Sequence, residues 1–65
     1  MLIDKIGINA GLVWQALGNS EMEVKDLKKT VKLTEKDLFL ALGWLSREGK
    51  VKFNEVDKNL FVNLI

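Results

Sequence analysis

Hydrophobic positions between residues 3 and 17 recur with the spacing of an α-helix. They are three or four residues apart over about four turns: Ile3, Ile6, Ala10, Val13, Trp14 and Leu17. This spacing places them along one face of a helix and predicts that the face is buried. Asp4 lies near the positive end of the helix dipole, and Gly18 can end the helix. We therefore predict a first helix over residues 3–17.

The middle of the chain contains two further helical patterns joined by a short turn. After an extended piece at 22–24, the segment KDLKKTV (25–31) predicts a short helix held by Leu27 and Val31. Thr34, followed three residues later by Asp37, forms a T-x-x-D capping pattern that predicts the start of a third helix. That helix spans 34–47, and its buried row is predicted to be Leu38, Ala41, Leu42 and Leu45.

Beyond Gly49, a residue that can adopt positive φ, apolar and polar residues alternate as in β-strands. The segment VDKN (56–59) predicts a turn between two strands. The apolar faces of the two strands are Val51 with Phe53, and Leu60 with Val62 and Leu64. The predicted order is helix, short strand, helix, helix and β-hairpin. This order predicts an α+β, mainly helical fold: a winged helix-turn-helix domain over residues 1–65.

Two segments, IGINAGLVWQAL (6–17) and LTEKDLFLALGWLSREGKV (33–51), resemble a family of small stand-alone bacterial winged helix-turn-helix proteins of unassigned function. The resemblance covers most of the chain and rests on the patterns NAG-x-VW and ALGWL-x-RE. It implies the winged-helix fold in a short, self-contained chain and carries no catalytic residues. One departure is Lys32, which stands where such domains often have glycine. Left-handed geometry there would cost about 1 kcal/mol relative to glycine.

Composition argues against catalysis and metal binding. The chain has neither Cys nor His, so the usual zinc, iron and copper ligands and the commonest general base are missing. Ser20 and Ser46 therefore have no histidine to activate them. We expect no enzyme activity, no cofactor and no metal. Short apolar runs and the absence of a secretory signal lead us to expect a cytoplasmic protein that does not enter a membrane.

The fold raises the alternative of a sequence-specific regulator that binds double-stranded DNA through helix 34–47 and the hairpin wing. The net charge of +1 gives this alternative little support. The third helix begins with Glu35 and Asp37, whose carboxylates would face phosphates. The candidate contacts to DNA are Lys28, Lys29, Lys32, Lys36, Arg47, Lys50 and Lys52.

Apolar residues on the outer faces of two helices favour protein contact instead. Ile8 and Leu12 lie opposite the buried row of the first helix, and Leu40 lies opposite that of the third. The predicted interface residues are Ile8, Leu12, Phe39, Leu40 and Trp44. We predict a non-catalytic regulatory module that forms a homodimer or binds another protein.

Two glycines on the first helix bear on this prediction. Gly7 and Gly11 are four residues apart and line one side of the helix, where they permit close approach of another backbone. We expect packing within the monomer to use this space, although Gly11 would also suit a two-fold interface.

Overall fold

Three helices and three strands make up the described part of the chain, which is residues 2–18 and 20–65 of the computed structural model. The helices are α1 (Leu2–Leu17), α2 (Val24–Val31) and α3 (Glu35–Arg47). The strands are β1 (Met22–Glu23), β2 (Val51–Val56) and β3 (Asn59–Leu64). The predicted order of elements is confirmed.

The ends of the helices follow the local sequence signals. Thr34 caps α3, since its Oγ1 accepts a hydrogen bond from the backbone N–H of Asp37 at 3.2 Å. Lys32 ends α2 in the left-handed conformation, with φ 58°, and its N–H donates to the Lys28 carbonyl at 3.0 Å. Gly18 and Gly49 also have positive φ, as expected for residues that follow a helix. The helix-two to helix-three turn therefore keeps its left-handed residue without a glycine.

The strands form one antiparallel sheet in the order β1-β3-β2. Met22 pairs with Val62 at one edge of β3, and Val51 pairs with Leu64 at the other. Asp57 and Lys58 join β2 to β3 with φ values of 49° and 69°. A two-residue connection with positive φ at both positions is the arrangement of a type I′ hairpin turn. The predicted turn at 56–59 is confirmed.

The hydrophobic core lies between the helices and the inner face of the sheet. Its buried residues are Ala10, Val13, Leu17, Leu27, Leu38, Ala41, Leu42, Leu45, Val51 and Val62. The row predicted for α3 is buried in full. In α1, Ala10, Val13 and Leu17 are buried, whereas Ile6 is partly exposed. The core is thus shared by α1 and α3, as their spacing predicts.

Three apolar residues predicted to face inward are exposed. Ile3 and Trp14 are 55% and 49% exposed because they lie at one margin of the buried stripe of α1, whose residues are Asn9, Ala10, Val13 and Leu17. Phe53 is 42% exposed, although Val51, two residues earlier on the same edge strand β2, is buried. The prediction that these side chains belong to the buried faces is therefore wrong.

Candidate interaction surfaces

The outward side of α1 is largely apolar and, beyond Asp4 and Lys5 near the start of the helix, carries no charge. We define the outer face of α1 by its exposed residues Gly7, Ile8, Gly11, Leu12 and Gln15. Ile8 is 68% exposed and Leu12 is 45% exposed. Residues 6–17 include no Asp, Glu, Lys or Arg. An exposed helix usually presents charged or polar residues to water, so this face differs from an ordinary solvated one.

The two glycines of this face have open space in front of them. A Cβ atom added at Gly7 or Gly11 would meet no atom within 4 Å outside its immediate helical surroundings. The expectation that packing within the monomer uses these glycines is therefore wrong. Alanine at either position would favour the helix by about 1 kcal/mol. The fold of the monomer gives no reason for glycine at either place.

A groove between α1 and α3 adjoins this face. Trp14 and Trp44, which are 49% and 36% exposed, line the groove together with Gly7 and Gly11. Its volume is about 270 Å³, and its remaining lining residues are Ala10, Leu45, Glu48 and Lys50. We call it the tryptophan groove. Trp44, predicted as an interface residue, thus lies beside the outer face of α1.

Leu40 and Phe39, the other predicted interface residues, lie elsewhere. Leu40 lies opposite the buried row of α3, as predicted, but part of its side chain is already covered within the chain. Phe39 is 43% exposed, but it lines a cleft shared with α2 and the hairpin turn. The structure therefore places Ile8 and Leu12 on the outer face of α1 and Trp44 in the adjoining groove, whereas Phe39 lies in a different cleft.

The cleft around Phe39 collects lysines from two elements. Lys25 and Lys28 reach it from α2, and Lys58 reaches it from the hairpin turn. Its volume is about 340 Å³, and Glu23, Val24, Glu35, Leu38, Asn59 and Leu60 complete the lining. Within residues 2–18 and 20–65, none of the three lysines forms an ion pair. We call this site the lysine cleft.

The cations predicted to contact DNA do not all share this side of the molecule. Lys28 lines the lysine cleft, while Lys29 and Lys32 are exposed on α2 and at its end. Lys36 and Arg47 are exposed on α3. Lys50 lies in the tryptophan groove, 3.9 Å from Glu48, and Lys52 lies on β2 in a third cleft with Glu21.

The predicted contacts to DNA do not include Lys58, although the turn signal VDKN places it at the tip of the hairpin. They do not include Lys25 either, although it begins the same run of lysines as Lys28.

One of the two carboxylates expected to oppose DNA binding is turned away. Asp37 Oδ2 lies 3.1 Å from Lys5 Nζ on α1, and the Asp37 side chain is only 13% exposed. Its charge is thus compensated within the chain. Glu35 remains exposed and lines the lysine cleft. The predicted repulsion at the start of α3 is therefore reduced to one carboxylate.

Two further features concern the described residues alone. They contain no group of three or more Asp, Glu, His or Cys side chains arranged to hold a metal ion. None of the helices in this part of the chain combines the length and hydrophobicity needed to cross a membrane.

Three helices, a turn between α2 and α3, and a C-terminal hairpin on an antiparallel sheet define a winged helix-turn-helix domain. The chain belongs to the DUF2582 family of winged helix-turn-helix domains, whose model matches residues 1–64. This confirms the resemblance carried by the α1 and α3 segments. No curated protein matches the sequence.

Solved structures of three bacterial proteins share the fold. Protein BT2368 from Bacteroides thetaiotaomicron is 32% identical, with a TM-score of 0.87 over 98% of this chain and 79% of that one. The transcriptional regulator HlyU from Vibrio vulnificus is 23% identical, with a TM-score of 0.84 over 97% of this chain and 67% of that one. HlyU from Vibrio cholerae is 28% identical, with a TM-score of 0.72 over 82% of this chain and 55% of that one.

Proposed function

We propose that this winged-helix domain is a non-catalytic regulatory module that acts by self-association through the outer face of α1. The observation that carries the proposal is an exposed, uncharged helix face in which Ile8 and Leu12 are 68% and 45% exposed. Covering such an aliphatic side chain completely contributes roughly 1.5–3 kcal/mol before the costs of association. For a domain of this size, whose own core is small, that contribution is substantial.

The chemistry of the face favours a protein partner over nucleic acid. Phosphate contacts need cations or polar donors, and residues 6–17 contain no Lys or Arg. A second copy of the chain suits the face particularly well. In a two-fold interface each surface meets its own counterpart, so an uncharged face avoids repulsion between like charges.

The proposal is tested by Leu12→Glu, which places two like charges in the apolar interface and leaves the core residues in place. We expect a monomer, or a dimer with a much higher dissociation constant, with unchanged helix content by circular dichroism. Ser46→Glu is the matched control, because it adds one carboxylate at an exposed position of α3 away from the outer face of α1. A dimer that Leu12→Glu leaves unchanged would contradict the proposal.

The lysine cleft favours a second candidate function, regulation of transcription by binding double-stranded DNA. Lys25, Lys28 and Lys58 form no ion pair with any residue that the structure describes, and they lie beside the first turn of α3, where a winged helix meets DNA. One protein of this fold, HlyU from Vibrio vulnificus, is described as a transcriptional regulator. Because Asp37 pairs with Lys5, this surface is less acidic than the sequence indicates.

Fluorescence anisotropy with duplex DNA at several salt concentrations tests this candidate. We expect only weak binding that fades as salt rises. In Lys28→Ala the slope of log affinity against log salt concentration should become less steep by the contribution of about one phosphate contact. Lys52→Ala removes a charge of the same sign from a different cleft, so comparing the two variants separates a contact in the lysine cleft from a general effect of net charge. Sub-micromolar binding that persists at physiological salt would place DNA binding ahead of self-association.

A further inference from the structure

We infer that Gly7 and Gly11 form the docking surface for α1 of a second copy, whose Ile8 and Leu12 pack over them. This inference rests on the proposed self-association and adds the contact that mediates it. It explains two features of α1 together: aliphatic side chains without cover and glycines without neighbours.

The arrangement of α1 is self-complementary. Gly7 precedes Ile8 and Gly11 precedes Leu12, so a row of missing side chains runs beside a row of projecting ones. At 3.6 residues per turn, the two rows are about 100° apart around the helix. When two such helices meet antiparallel about a two-fold axis, the aliphatic row of each can lie over the glycine row of the other.

The space required for this contact is present in the structure. No atom lies within 4 Å of a Cβ built at either glycine, and the tryptophan groove continues this space toward α3. Glycine is the least favourable helical residue after proline. A contact outside the monomer therefore gives these positions a role that the monomer does not.

The composition and shape of the face favour a second copy as the occupant. Residues 6–17 carry no charge to attract an acidic or basic partner, with the exposed Asp4 one turn before Ile8, and the projections and gaps of the face match each other. The exposed half of the 16-residue helix, treated as a half-cylinder about 24 Å long and 11 Å in diameter, offers roughly 400 Å² of surface. The exposed part of Trp44 on α3 adds roughly 80 Å², given 200–250 Å² for a whole indole side chain.

The sum, about 500 Å² per chain, is less than the roughly 800 Å² per partner of a standard interface. The expected assembly is therefore a weak, reversible dimer.

Gly11→Ala tests the inference because it acts oppositely on the monomer and on the dimer. In dilute solution the added methyl group meets open space and favours the helix, so the melting temperature should rise by a few degrees. In concentrated solution the same methyl group occupies the docking surface, so the dissociation constant should rise about tenfold or more. Gly43→Ala is the matched control, since it is a helical glycine of α3 with equally open surroundings. It should raise the melting temperature and leave dimerisation unchanged.

Tryptophan emission provides a second measurement, because the two tryptophans of the chain both line the groove beside the glycines. In the wild type, emission should shift to shorter wavelength as the dimer forms, and this shift should require higher concentration in Gly11→Ala. A Gly11→Ala protein that dimerises like the wild type, while Leu12→Glu does not, would overturn the glycine contact and leave the proposed function standing. A wild type that is monomeric throughout would overturn both.

Discussion

Replacing Leu42 by alanine tests whether α1 and α3 share one core. Leu42 is 1% exposed and lies in the buried row of α3 between Leu38 and Leu45. The change removes three carbon atoms from the core, which at about 0.8 kcal/mol each contribute about 2.4 kcal/mol to stability. A residual cavity of about 50 Å³ would add about 1.2 kcal/mol. We therefore expect unfolding to become about 3.5 kcal/mol easier.

This loss is large for a domain of 65 residues. At about 0.05–0.15 kcal/mol per residue, the whole domain is stable by only about 3–10 kcal/mol. Leu42→Ala should therefore remove a third or more of the free energy of unfolding and strongly lower the midpoint of urea unfolding.

Leu12→Ala provides the matched control, because it makes the same chemical change at a side chain that is 45% exposed. In dilute protein it should cost less than about 1 kcal/mol, since no closed cavity forms and alanine favours the helix. Both variants should be measured by urea unfolding followed by circular dichroism. A loss below 1 kcal/mol for Leu42→Ala, or equal losses for the two variants, would show that the helical register assigned to α3 is incorrect.

Two further substitutions test the ends of the helices by the same unfolding measurement. Thr34→Ala removes the hydrogen bond to the Asp37 N–H and should lower stability by about 1 kcal/mol. The control Thr30→Ala, on the exposed side of α2, should lower stability much less. Equal losses of stability would mean that the cap contributes nothing. Lys32→Gly should stabilise the domain by about 1 kcal/mol, because Lys32 has φ 58°. Lys29→Gly, inside α2, should destabilise by a similar amount, and a stability loss in both variants would contradict the strain at Lys32.

The fold was predictable because local signals and helical spacing agree along the chain. Several local signals each mark a boundary found in the structure: the capping pattern at Thr34, the two glycines Gly18 and Gly49, and the VDKN turn. The buried row of α3 follows directly from its spacing. Trp14 shows the limit of this reasoning, since spacing alone does not say how wide the buried stripe is. Its indole lies in a groove between two helices, and that groove exists only once they have packed.

The candidate surfaces were predictable only in part. The exposure of Ile8 and Leu12 follows from their position opposite the core of α1. Three other features depend on contacts between elements that are distant in the sequence. These features are the partial burial of Leu40, the pairing of Asp37 with Lys5, and the position of Lys28 and Lys58 in one cleft. The open space at Gly7 and Gly11 is also a tertiary property, because sequence does not show whether another element fills it.

Sedimentation equilibrium of the wild-type chain from micromolar to millimolar concentration tests the self-association of the α1 face most directly. If the face mediates self-association, the weight-average mass rises reversibly from that of one chain toward that of two, and a Leu12→Glu variant keeps the mass of one chain over the same range. A wild-type mass that stays at one chain up to millimolar concentration would contradict self-association as the function of this surface.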